Sequence, residues 1–238
     1  MENKFIIVCD DLPSHQIAVA RGLRKLGFEP IRASYPLHAI RSANEFSPVA
    51  ILMDHIFDNY ATSSIPSEQQ ITGMDCGIYL HLALNIPIIF FTAYDEVIKR
   101  HPIARVILDR YGSFSKTPLD LPSLGSSIRQ ATEAHSAWNA TNGFFSVDKN
   151  LKVTSANEAA RSIFAGNILG SNVVSIFSDN TVRALEQIAF QSGSVRVAPT
   201  PCSLSLAFLG NQCRSVGATV TPVWLFGSLA ALRCEWAV

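Results

Sequence analysis

The first 138 residues predict a doubly wound α/β fold, a parallel sheet with helices on both faces, and the remainder predicts a smaller α+β module with an antiparallel sheet. Three observations carry this. Phe5 to Cys9, Ala50 to Met53 and Ile86 to Phe91 are short, almost wholly apolar runs, as strands buried on both faces are. Stretches of helical periodicity lie between them. After Trp138 the pattern becomes a hairpin and then a series of strands broken by turns.

Each element has a local reason. Asp10, Asp11 and Pro13 end the first strand, and Ser14 is read as the cap of a helix to Leu26 with Ile17, Ala20, Leu23 and Leu26 on one side. Gly27 stops that helix, and Phe28 to Ala33 reads as a strand. Pro36 to Phe46 is a second helix, facing inward with Leu37, Ile40 and Ala43. The third strand ends at Asp54, and a long polar segment, Asp58 to Thr72, follows it. Gly77 to Leu84 reads as a short helix, and the strand Ile86 to Phe91 ends at Thr92. Ser113 to Ser115 is a last short strand, and Asp120 to Trp138 is helical although Gly125 weakens it.

In the second half Phe144 to Val147 and Leu151 to Ser155 read as strands joined by a turn at Asp148 to Asn150, with a short helix from Ala156 to Phe164. Strands are expected at Ser194 to Val197, Ser203 to Leu209, Ser215 to Thr221 and Leu229 to Trp236, with turns at Gly210 to Gln212 and Phe226 to Ser228.

The 238 residues are long for one core and suit two domains. Lys plus Arg and Asp plus Glu are 19 each, so no clustered basic charge points to nucleic acid or an anionic membrane. Charged residues are 16%, against roughly 25% in a typical soluble domain. That poverty points to self-association or a partner face, the more so at a mean hydropathy of +0.21. The five cysteines, Cys9, Cys76, Cys202, Cys213 and Cys234, are scattered and form no C-x-x-C pair. This fits a reducing compartment and argues against both a disulfide framework and a zinc site. The acids near the N-terminus argue against a signal peptide, and His81, Asn85 and Pro87 interrupt the longest apolar stretch, so no membrane span is expected and the cytoplasm is the expected location.

Asp10, Asp11, Asp54, Thr92 and Lys116 all fall at the carboxyl ends of expected strands. With a sheet ordered 2-1-3-4-5, strands 1 and 3 adjoin at the switch point, and three carboxylates share one crevice. They repel one another and call for a hard cation, for which Mg²⁺ is suited. A metal there would neutralise an incoming phosphoryl group, Asp54 would attack phosphorus, and Thr92 and Lys116 would bind the remaining phosphoryl oxygens.

The stretches IIVCDD, LGFEPIRA, AILMDHIF, GMDCGIYL, IPIIFFTAY and FSKTP resemble the receiver domains of bacterial two-component response regulators, a flavodoxin-like fold, over residues 4 to about 135. The resemblance implies that Asp54 is the phosphoacceptor, that Asp10, Asp11, Asp54 and the main-chain carbonyl of Ile56 hold Mg²⁺, and that Thr92 and Lys116 are the family's hydroxyl and lysine. Three features depart from the family. FDNYATSSIPSEQQIT lengthens the connection after Asp54; Pro102 falls where the fourth helix should run; and the aromatic switch position holds Ser113, with Phe114 one step late and Thr117 between Lys116 and Pro118.

GFFSVDKNLKVTSANEAARSIFA and the closing ALRCEWAV resemble a PAS domain, a class that holds a small ligand or serves in dimerisation. All six histidines precede this module, which argues against haem held by histidine. Asn211-Gln212-Cys213-Arg214 only superficially echoes a light-oxygen-voltage flavin site. The expected organisation is therefore a receiver at 1–120, a connecting helix at 121–138 and a PAS-like module at 139–238. His135 reads as a surface residue of that helix. Ala131 to Trp138 reads as an apolar stripe with no evident partner in its own chain, open to pairing in a homodimer; the alternative is that Trp138 packs on its own PAS-like module.

The expectation is a response regulator phosphorylated by a histidine kinase or phosphotransfer protein, signalling through its second module and catalysing only its own phosphorylation and dephosphorylation. Two alternatives stand beside it: a degenerate receiver acting as an unphosphorylated scaffold, and a Mg²⁺-dependent phosphate-ester hydrolase, which usually carries D-x-D rather than adjacent aspartates.

Overall fold

The computed structural model describes residues 4–57, 70–92, 96–116, 118–163, 168–194, 199–205, 215–225 and 228–237. The chain divides into two compact units, Met1–His81 with Ile86–Ser136, and Leu82–Asn85 with Ala137–Val238.

The first unit is built on a parallel sheet of β1 (Phe5–Cys9), β2 (Glu29–Ala33), β3 (Ala50–Met53), β4 (Ile88–Phe91) and β5 (Ser113–Phe114). Their order is β2-β1-β3-β4-β5, as the sequence predicts. The central strands are buried on both faces: Ile6, Ile7, Val8, Ile51, Leu52, Met53, Ile88, Ile89 and Phe90 have no exposed surface. The register pairs Cys9 with Met53 and Met53 with Phe90, so the residues that follow these strands emerge side by side.

Helices α1 (Pro13–Lys25), α2 (Pro36–Phe46), α3 (Gly73–Leu84), α4 (Glu96–Arg100), α5 (Pro102–Tyr111) and α6 (Leu121–Thr141) connect and flank the strands. The chain steps from β1 outward to β2, then back across to β3 and on to β4. With right-handed crossovers that reversal puts α1 on one face and α2 and α3 on the other. Contacts agree: a Cβ added to Gly22 of α1 would meet the Leu121 side chain of α6, and the Cys76 thiol of α3 lies 3.5 Å from the Pro36 carbonyl of α2. Gly125, which weakens α6 as a helix former, lets α6 approach Leu26, whose methyls would be 3.1 and 3.2 Å from an added Cβ.

Several boundaries differ from the expectation. The first helix starts at Pro13 behind Leu12 with no side-chain cap, so Ser14 lies inside it. The third begins at Gly73 because Thr72 caps it: the Asp75 amide donates to Thr72 Oγ1 at 3.0 Å, and that hydroxyl donates to the Asp75 carboxylate at 2.9 Å. Pro102, which implies a fourth helix that is short, kinked or reorganised, makes it short: α4 ends at Arg100, and Pro102 starts a helix of its own. It sits in the first turn of α5, where its missing amide costs nothing, and His101 Nδ1 caps that turn by accepting from Ala104 at 3.3 Å.

The second unit is a five-stranded antiparallel sheet of β6 (Asn142–Asp148), β7 (Val153–Ala156), β8 (Thr200–Ser205), β9 (Ser215–Leu225) and β10 (Ser228–Ala237), ordered β7-β6-β10-β9-β8. Helix α7 (Glu158–Ile163), a single 3₁₀ turn at Val173–Ser175 and α8 (Asp179–Ser194) lie between β7 and β8. The core joins sheet residues Phe145, Val147, Val220, Leu232 and Cys234 to Phe177, Leu185 and Ile188. Phe145 stacks on Phe177 at 5.2 Å. The expected strand from Ser194 is corrected at its first residue, which ends α8; residues 195–198, the turn at 210–212 and the Asn211 to Arg214 stretch lie outside the described residues.

Among the described residues of this unit one charged side chain is fully enclosed. Arg233 of β10 has no exposed surface. Its guanidinium lies 4.1 Å from the Phe144 ring centre and 5.2 Å from that of Trp138. It donates to the Leu82 carbonyl at 3.0 Å and to Asn85 Oδ1 at 3.2 Å, and it pairs with Glu235.

Candidate functional site: the acidic crevice

The crevice is set by main-chain register. The Asp54 amide donates to the Cys9 carbonyl at 2.9 Å, and the Asp10 amide donates to the Ala33 carbonyl at 3.1 Å. These bonds extend the parallel ladder one step and leave Asp10 beside Asp54. The Gln16 amide, buried under α1, clamps the turn by donating to the main-chain carbonyls of Asp10 and Ala33.

Asp10, Asp11 and Asp54 each offer a carboxylate oxygen within 4.8 Å of the others. Asp10 and Asp54 are buried and Asp11 is half-buried. Asp10 Oδ1 accepts from the Leu12 amide at 2.8 Å; its Oδ2 is 2.7 Å from Lys116 Nζ and 3.5 Å from His15 Nδ1. Asp54 Oδ1 accepts from the amides of His55 at 2.8 Å and Ile56 at 3.4 Å, and Oδ2 accepts from Lys116. Burial pushes the Asp54 carboxyl above its ordinary pKa, and the hydrogen bond from Lys116 offsets part of that rise.

Thr92 is tied to β5 by its amide, which donates to the Phe114 carbonyl at 3.0 Å. Lys116 follows two residues after Phe114, and its ammonium lies 5.6 Å from the Phe91 ring centre. Phe114 itself stacks on Phe91, with centroids 6.1 Å apart, while Ser113 is exposed.

The donor set suits a hard divalent cation: three oxygens from carboxylates, close together, with no sulfur or imidazole among the candidate ligands. Asp10, Asp11 and Asp54 are the side chains that would hold it. Ile56 stands in the same turn, its amide on Asp54.

Two further residues shape this site, and the sequence assigns a role to neither. His55, next to Asp54, is buried and holds its Nδ1 2.6 Å from Thr92 Oγ1 and 3.8 Å from Asp54 Oδ1. Burial lowers its pKa. Gly73, the first residue of α3, lies against the same turn: its amide donates to the His55 carbonyl at 3.2 Å, and a Cβ there would fall 1.6 Å from the Asp54 carbonyl oxygen. Gly73→Ala must therefore displace backbone. We expect a loss of about 1–3 kcal/mol in urea unfolding.

His135 is not simply a surface residue. Its Nδ1 is 2.8 Å from the Tyr111 hydroxyl, and Tyr111 also packs edge-on against His81. Nor does Ala131 to Trp138 lack partners in its own chain. Ala131 is buried, and Trp138 packs on Phe144 at 6.0 Å and beneath Arg233. An indole already packed on side chains of its own unit no longer supplies a ground for the Trp138-mediated homodimer.

No family model matches this chain, and no curated protein matches it. Solved structures do, over roughly its first half. A signal receiver domain of a modulated diguanylate cyclase from Desulfovibrio desulfuricans G20 is 19% identical, with a TM-score of 0.46, over 56% of this chain and 96% of that one. The N-terminal domain of a response regulator/sensory box/GGDEF three-domain protein from Carboxydothermus hydrogenoformans is 20% identical, with a TM-score of 0.46, over 56% and 98%. A response regulator receiver domain protein from Clostridium thermocellum is 17% identical, with a TM-score of 0.44, over 56% and 98%. Among the described residues no helix is long and apolar enough to cross a membrane.

Proposed function

We propose that the chain is a two-component response regulator of the cytoplasm, whose first unit is a receiver phosphorylated on Asp54 and whose second unit is a PAS-like interaction module. The observation that supports it most is the cluster itself: three carboxylates within 4.8 Å of one another, with Lys116 Nζ 2.7 Å from Asp10 and in contact with Asp54.

In this reading an oxygen of Asp54 attacks phosphorus, and the bond from phosphorus to the donor breaks with its electron pair leaving on the donor. The donor is a phosphohistidine of a kinase or phosphotransfer protein, or a small acyl phosphate. Asp10, Asp11, Asp54 and the Ile56 carbonyl would hold Mg²⁺, which when bound would neutralise the charge of the incoming group. Lys116 and Thr92 donate to the transferred oxygens. The module needs no further catalytic output. The second unit fills its interior with Phe145, Phe177, Leu185 and their neighbours, which suits an interaction role better than a large ligand.

Labelling with radioactive acetyl phosphate tests this. The folded chain should incorporate about one phosphoryl group with Mg²⁺ and none with EDTA. A folded chain that never labels would support the scaffold alternative, and steady turnover of a generic phosphate ester would support the hydrolase.

A further inference from the structure

We propose that His55 is a positioning residue for Thr92: its Nδ1–H donates to Thr92 Oγ1 and so turns the hydroxyl proton of Thr92 toward the phosphoryl group that Asp54 receives. The inference rests on the phosphoacceptor reading of Asp54.

The contact is short and enclosed. Nδ1 and Oγ1 are 2.6 Å apart, His55 is 5% exposed and Thr92 is 5% exposed. Both ends are anchored by main chain, His55 through its amide on Asp54 Oδ1 at 2.8 Å and Thr92 through its amide on the Phe114 carbonyl at 3.0 Å. The remaining question is which group donates. A threonine hydroxyl has one proton, and donation to His55 would withdraw it from a phosphoryl oxygen.

Two observations put the ring proton on Nδ1. First, Nδ1 also faces Asp54 Oδ1 at 3.8 Å, where an N–H is attracted and a lone pair is repelled. Second, Nε2 is buried with no hydrogen-bond partner among the described residues. A bare ring nitrogen is tolerated there more readily than an unmatched N–H, since orphaned buried donors are the rarer kind. With the proton on Nδ1, one lone pair of Thr92 Oγ1 accepts from His55, and the hydroxyl proton is not spent on the imidazole.

A double-mutant cycle tests this, read as the initial rate of acetyl phosphate labelling with Mg²⁺ in chains shown to be folded by circular dichroism. Thr92→Ala should slow labelling by about a hundredfold, the loss of one charge-stabilising donor. His55→Leu should slow it by about tenfold. The double variant should be no slower than Thr92→Ala alone, because His55 acts only through Thr92. His55→Asn, whose amide nitrogen stands where Nδ1 stood, should recover to within about threefold of the parent. If His55→Leu does not fold, His55→Gln replaces it, since its donor reaches the Nε2 position instead. A parent rate in His55→Leu, multiplying effects in the double variant, or no recovery in His55→Asn each overturns the inference while leaving Asp54 as the acceptor. A folded parent chain that takes no phosphoryl group overturns both.

Discussion

Asp54→Asn is expected to abolish phosphoryl labelling and to leave a fold more stable than the parent in the absence of metal. The first effect follows from chemistry, since an amide oxygen is not a competent nucleophile toward phosphorus under these conditions. The second follows from burial. The raised pKa of the Asp54 carboxyl means that the folded state favours its protonated form. That preference stabilises the fold fully below the unfolded value near ~4 and is lost as pH rises through the raised folded value. At pH 7 the ionised group therefore costs stability that asparagine does not. The gain should be visible in urea unfolding with EDTA at neutral pH, and it should shrink on acidification. Undiminished labelling of a folded Asp54→Asn chain would remove Asp54 as acceptor, and a destabilised variant at pH 7 would show that the pairing with Lys116 outweighs desolvation.

The other large effect is expected at Arg233. Arg233→Ala removes a fully buried side chain packed on two aromatic rings, its donor to Asn85 and one of the donors to the Leu82 carbonyl. The Leu82 carbonyl keeps a second donor, the Ser146 hydroxyl at 2.8 Å, which limits the damage. The cavity and the lost bonds together should cost about 3 kcal/mol. Trp138, Trp224 and Trp236 are the three tryptophans of the chain and all lie in the second unit, so fluorescence-monitored unfolding reads that unit directly. Arg233→Met, which keeps apolar volume under the rings, should recover part of the loss. A loss well under 1 kcal/mol in Arg233→Ala would show that the guanidinium contributes little beyond balancing Glu235.

The strongest signals in the sequence are those that physics makes local. Phe5 to Cys9 and Ala50 to Met53 are apolar throughout because both faces of a central parallel strand are covered, and the aspartates after them mark where the chain leaves the sheet. Lys116 and Thr92 are legible only as members of an ordered set. The α8 helix went unread although Val182, Leu185 and Ile188 recur at threes, because Thr181, Ser192 and an exposed Phe190 blur its two faces. Arg233 is illegible for another reason. A charge in a strand reads as outward-facing, and only the two rings and the carbonyl that receive it, brought in from distant positions, make it a core residue. His55 is hidden in the same way: its partner Thr92 is 37 residues further on.

The hydrogen bond from the Gly73 amide to the His55 carbonyl, at 3.2 Å, offers a reporter on the acidic crevice. That amide can trade its proton for solvent deuterium only when the bond opens. Its exchange rate therefore counts the openings of the turn that carries Asp54, and a ligand or charge that tightens the turn would slow it.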